Sequence, residues 1–111
     1  MAKTPKLQLI TAVVRQTKAE AVLAAALKAG APGITYTWAR GTGVRQNMGY
    51  AGTLIESEKQ VLWIVTSDSH VEKVLESIVK TANIDMPGEG FAFLQPVDRV
   101  IGFVPAKGPK A

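Results

Sequence analysis

Two glycine turns are the residues best suited to chemistry in this 111-residue chain: Arg40-Gly41-Thr42-Gly43 and Pro87-Gly88-Glu89-Gly90. Glycines at alternate positions let the backbone take positive φ and leave its N–H groups open to an incoming anion. Taken singly, each turn is ordinary punctuation between elements. Brought together by a fold, the two would make a ligand cleft. Catalytic groups are sparser. His70 is the single histidine and stands at an expected helix start, where a solvated imidazole is the common case. Glu56 and Glu58 fall in or beside a loop, and Asp68, Glu72 and Glu76 suit the first half of a helix, where the macrodipole favours acids. Only Glu89 lies inside a glycine turn. No acid and base pair emerges, so the chain is expected not to be an enzyme. With no cysteine and one histidine, neither disulfides nor a typical zinc site can be built.

Length and charge narrow the class. A chain of 111 residues fits one domain, 1–111, able to bury roughly two-thirds of its unfolded surface without staples. The first six residues carry positive charge but no long apolar run follows them, and no stretch approaches the ~18 apolar residues of a membrane span. A soluble, cytoplasmic protein is expected. Of the 13 Lys and Arg, four (Lys3, Lys6, Lys107 and Lys110) lie in the terminal segments, and the other nine balance the nine Asp and Glu. The basic character therefore belongs to the tails, including a C-terminal tail over 105–111, and is poor evidence for a nucleic-acid surface.

The elements that must position the turns follow from periodicity. Leu7 to Val14 is apolar and β-branched enough for a strand. Thr17-Lys18-Ala19-Glu20 reads as a capping box opening a helix that ends near Gly30. Ala19, Val22, Leu23, Ala26 and Leu27 recur at helical spacing and define the face that covers a sheet. Ile34 to Trp38 is strand-like and runs into the first glycine turn, and residues 44–58 read as a long loop. The pattern then restarts. Gln60 to Thr66 is a strand, Ser67 or Ser69 can cap a helix, and Val71, Val74, Leu75, Ile78 and Val79 repeat the one-sided spacing. Phe91 to Leu94 and Val97 to Val104 read as short strands separated around Pro96.

The order is βαβ twice, which predicts an α+β, ferredoxin-like βαββαβ sandwich with an extra short C-terminal strand. Its antiparallel sheet carries both helices on one face. The other face, with Trp63 and the Ile and Val residues of the first and third strands, is apolar enough to require burial in an oligomer.

One motif points elsewhere. Gly90-Phe91-Ala92-Phe93-Leu94 looks like the core of an RNA-binding RNP1 stretch. In that family the stretch precedes the second helix, whereas here it follows it. Glu89 also stands where a basic residue is expected, and Pro96 where the last aromatic would be. No nucleic-acid partner is expected, and core aromatics are the plainer reading.

Gly33 to Gly43, with a helix before and a long loop after, resembles the second strand and T-loop base of PII signal-transduction proteins. Val79-Lys80-Thr81-Ala82, Gly88-Glu89-Gly90-Phe91-Ala92-Phe93 and Val97-Asp98-Arg99-Val100-Ile101 resemble the family's second signature and final strand. The resemblance covers about residues 7–104 and fails only across the loop. It implies a homotrimer engaged in nitrogen regulation, with clefts between subunits that bind ATP or ADP and a T-loop that engages a protein partner such as a membrane transporter or an enzyme. Carried over by position, Thr35, Gly41, Thr42 and Gly43 would contact the effector from one side, and Gly88, Glu89 and Gly90 from the other.

The chain departs from the family at its cations. The lysine after the second turn is Phe91, and the two arginines of the last strand correspond to Gly102 and Val104. Each charge-assisted hydrogen bond contributes roughly 1.5 to 3 kcal/mol, so three losses would weaken a nucleotide by several powers of ten. The glutamine that helps hold magnesium and 2-oxoglutarate corresponds to Arg45, and Arg40 with Arg45 are candidate replacements for the lost charge. Met48, Tyr50, Leu54 and Ile55 offer an adaptable apolar surface in the loop. The alternatives are a lost nucleotide site, a non-nucleotide ligand, or a small ferredoxin-like enzyme using Glu89.

Overall fold

Alternation along the first strand settles which face of the sheet is covered. In the computed structural model, which describes residues 6–41, 57–86 and 88–103, β1 is Leu7–Arg15. Its Ile10, Ala12 and Val14 are fully buried toward the helices, while Leu9, Thr11 and Val13 alternate to the opposite face. The remaining elements are α1 (Gln16–Ala29), β2 (Thr35–Gly41), β3 (Ser57–Ser67), α2 (Asp68–Ala82) and β4 (Gly90–Val97).

The sheet order is β2-β3-β1-β4, and every neighbouring pair is antiparallel. This is the expected ferredoxin-like arrangement. Leu62 and Ile64 of β3, Val22 and Ala26 of α1, and Val74 and Ile78 of α2 close a core with β1, all fully buried. On the other face the register aligns Thr11 with both Trp63 and Phe93, and Val13 with both Val61 and Phe91. Phe91 and Phe93 stack with their ring centroids 6.3 Å apart and remain about half exposed. The sheet therefore presents an aromatic and aliphatic surface that neither helix covers.

The helix starts differ from expectation. The ladder to β3 continues to Arg15, so α1 begins at Gln16 and Thr17 already lies inside the first turn. Arg15 takes the N-cap position without a side-chain capping bond, and the expected capping box does not form. Ser67 does occupy the N-cap position of α2, but its hydroxyl bonds Ser69 Oγ and His70 Nδ1, each at 3.0 Å, instead of the backbone. The far ends behave as expected: Gly30 closes α1 in the left-handed region at φ 118°.

Two strand boundaries also change. β3 starts at Ser57, so Glu58 lies opposite Arg40 in a ladder and not in a loop. β4 runs unbroken through Pro96, which pairs in register with Gln8. That is tolerated because β4 is an edge strand, where a missing N–H can face outward. Residues 98–103 form no strand, so the expected C-terminal strand is absent among the described residues. β1 begins at Leu7, opposite Val97, and offers no further ladder for it.

Candidate functional site

The strand ends fix where the glycine turns lie. Gly41 ends β2 opposite Ser57, Arg15 ends β1 opposite Lys59, and Gly90 begins β4 opposite Val14. All of these lie at one end of the sheet. β2 and β4 are its two edges, however, three inter-strand spacings apart, or roughly 14 Å. Within one chain Gly41 and Gly90 thus share an end of the sheet but stand on opposite edges of it.

The second turn is built tightly. Gly88 has φ 85° and Gly90 has φ 141°, and a Cβ on Gly90 would overlap the carbonyl oxygen of Val13. Glycine is required there by both conformation and space. Between them the Glu89 N–H donates to the Met86 carbonyl at 3.2 Å. The Glu89 side chain reaches back to the β1–α1 junction: Arg15 Nη1 donates to Oε2 at 3.3 Å and Lys18 Nζ to Oε1 at 3.4 Å. Glu89 and Lys18 are partly buried, and Arg15 is about half exposed. Two cations from one segment thereby converge on the carboxylate of the turn.

Neither Arg15 nor Lys18 stood out in the sequence. Lys18 sits in the tetrapeptide that reads as a capping box, and Arg15 sits just past the apolar run taken as the strand. Their i, i+3 spacing across a strand-to-helix junction is the signal that was there to use.

Thr35 is placed apart from Gly41. It opens β2, six residues away, or roughly 20 Å along the strand, so a single ligand touching both must lie along that edge. Thr35 instead borders an open groove of about 330 Å³ with Pro32, Trp63, Val65, Gly102 and Phe103. Gly102, at a position where a cation was expected, thus lines this groove. Phe91, at another, lies on the exposed sheet face stacked on Phe93. Arg40 is exposed on β2 opposite Glu58. Thr42, Gly43, Arg45, Val104 and most of the 44–58 loop lie outside the described residues.

The other chemistry-bearing side chains have local partners. His70 Nδ1 lies 3.0 Å from Ser67 Oγ and 3.3 Å from Ser69 Oγ, and its ring packs over Gly30. Gln8 Nε2 donates to Asp68 at 2.9 Å, and Glu76 pairs with Lys80 one helical turn on. Among the described residues no group of three or more His, Cys, Asp or Glu could hold a metal, and no helix is long and apolar enough to cross a membrane.

Residues 7–106 match the family described as nitrogen regulatory protein P-II. Among curated proteins, the chain is 34% identical over 93 residues to nitrogen fixation nifHD region glnB-like protein 1 of Methanococcus maripaludis, covering 83% of this chain and 89% of that one. It is 35% identical over 97 residues to nitrogen regulatory protein P-II 2 of Methanothermobacter thermautotrophicus, covering 83% and 84%. It is 32% identical over 97 residues to the nitrogen regulatory protein P-II of Nostoc punctiforme, covering 83% and 87%. Among solved structures, a Bacillus cereus protein related to NIF3 superposes with a TM-score of 0.69 at 21% identity. That match covers 88% of this chain but only 27% of the other, and it speaks to the fold alone.

Proposed function

The chain belongs to the nitrogen regulatory protein P-II family, and from that premise we propose that it works as a cytoplasmic, non-catalytic homotrimer sensing a small effector between subunits. Occupancy of the cleft is read by a protein partner, a transporter or an enzyme, through residues 44–58. The placement of Gly41 and Gly90 on opposite edges of one sheet end carries this reading. A compact ligand held by both turns needs the β2 edge of one copy beside the β4 edge of another. The exposed Trp63, Phe91 and Phe93 favour the same assembly, because they form an apolar face that a second copy can bury.

An adenine nucleotide is the effector class that family membership favours, with Thr35 and the first turn on one side and Gly88, Glu89 and Gly90 on the other. A second reading has a specific observation behind it: Phe91 and Gly102 present no cation, and a non-nucleotide ligand would not need one. The enzyme alternative gains nothing from the structure, because the groups that meet Glu89, its one candidate, are the cations Arg15 and Lys18 and not a nucleophile.

Light scattering tests the assembly, with a mass three times the 11.8 kDa chain expected and a stable monomer at micromolar concentration overturning the cleft. Calorimetric titration of the trimer with ATP, ADP, AMP and cyclic nucleotides then tests the effector. Heat from any of them supports a nucleotide site, and none from all four moves the assignment to the second reading.

A further inference from the structure

We propose that Arg15 and Lys18 form an anion-accepting pair at the second glycine turn, and that Glu89 occupies this pair as an internal stand-in for a ligand phosphate. The effector role of the pair rests on the inter-subunit reading above, but its anion affinity does not. Three observations carry it. First, the carboxylate meets its two cations at 3.3 and 3.4 Å, whereas charge-assisted bonds close to about 2.7–2.9 Å. Glu89 spans both partners without seating tightly on either. Second, positive charge exceeds the acid that answers it. Two cations, Arg15 and Lys18, meet one carboxylate. Third, Glu89 rides on a turn flanked by two positive-φ glycines, and Gly90 lies against the Val13 backbone just before Arg15.

The chemistry that fits is a phosphate or pyrophosphate group. It carries more charge than one carboxylate and can satisfy both donors at once. These cations come from the β1–α1 junction, a different segment from the one that holds Phe91, and so restore charge to a turn that lacks it at position 91. Partly exposed ion pairs are weak, which makes Glu89 displaceable.

The experiment is titration of the full chain with inorganic pyrophosphate and with ATP, for wild type, Glu89→Gln, Arg15→Gln and Lys18→Gln. Removing the internal competitor should tighten pyrophosphate by about 3- to 10-fold in Glu89→Gln, the range a weak ion pair supports. Arg15→Gln and Lys18→Gln should each weaken it by a similar factor, and adding either to Glu89→Gln should cancel the gain. Unfolding midpoints and light scattering confirm that each variant is folded and of unchanged mass. Weaker or unchanged pyrophosphate binding in Glu89→Gln overturns the proposal and makes the carboxylate a structural clip. Absence of pyrophosphate binding in all four proteins overturns it too. ATP binding that ignores all three substitutions leaves the effector reading standing and removes this one. Pyrophosphate binding that depends on Arg15 and Lys18, with no nucleotide bound, does the reverse.

Discussion

Gly90 and Val13 stand so close that any side chain on Gly90 would overlap the Val13 carbonyl oxygen. The absence of a side chain is what lets β4 begin this close to β1, where Gly90 pairs in register with Val14. With φ at 141°, the position also excludes other residues on conformational grounds. Gly90→Ala is therefore expected to cost about 2 kcal/mol or more in urea unfolding. Gly33, with open space around its Cβ position and no positive φ, is the matched control, and Gly33→Ala should fall within about 0.5 kcal/mol of wild type. Equal costs at the two glycines would refute the close-approach account.

Gly30 makes a second, separable case. It closes α1 at φ 118°, and a Cβ there would lie 2.9 Å from His70 Cδ2. Gly30→Ala should destabilise by about 1 kcal/mol from the backbone alone, with a further loss because the His70 ring is tied to Ser67 and Ser69. Combining it with His70→Ala should recover the steric part and leave the backbone part. A double-mutant cycle with no coupling energy would show that the ring moves aside freely.

The two faces of the sheet should answer substitution differently. Ile78→Ala, in the core, is expected to cost about 2–5 kcal/mol of stability without changing the mass of the folded protein. Phe93→Lys, on the uncovered face, should lower the mass seen by light scattering while the secondary structure persists. An assembly indifferent to Phe93→Lys would place the subunit contacts elsewhere.

Ion pairs at the surface should matter unequally. Glu76 and Lys80 meet at 3.7 Å on an exposed helix face, and Glu76→Gln should shift stability by no more than about 0.5 kcal/mol. Were it to shift much more, surface pairs in this fold would be worth more than exposure allows, and the weakness assumed for Glu89 would fail with it.

Much of the fold was legible because periodicity is local. The one-sided apolar spacing of Val22 and Ala26, and of Val74 and Ile78, marked two helices that bury these residues, while Leu27, expected on the same face of α1, is about half exposed. The doubled βαβ order led to the ferredoxin-like sheet, and the glycine-rich signatures led to the family. Expectations that failed were those where distant pairing overrides local preference. Thr17 lost its cap because the β1 ladder reaches Arg15, and Pro96 did not end β4 because that strand is an edge.

The sequence by itself determined the two helices, the four paired strands, their order, the family and the glycine-rich signatures, since each depends on neighbours within a few residues. Only the tertiary structure decided that Gly41 and Gly90 lie at one end of the sheet on opposite edges, and that Glu89 meets Arg15 and Lys18 across more than seventy residues. Strand pairing sets those distances, and pairing between remote segments leaves no periodic trace in the chain that makes it.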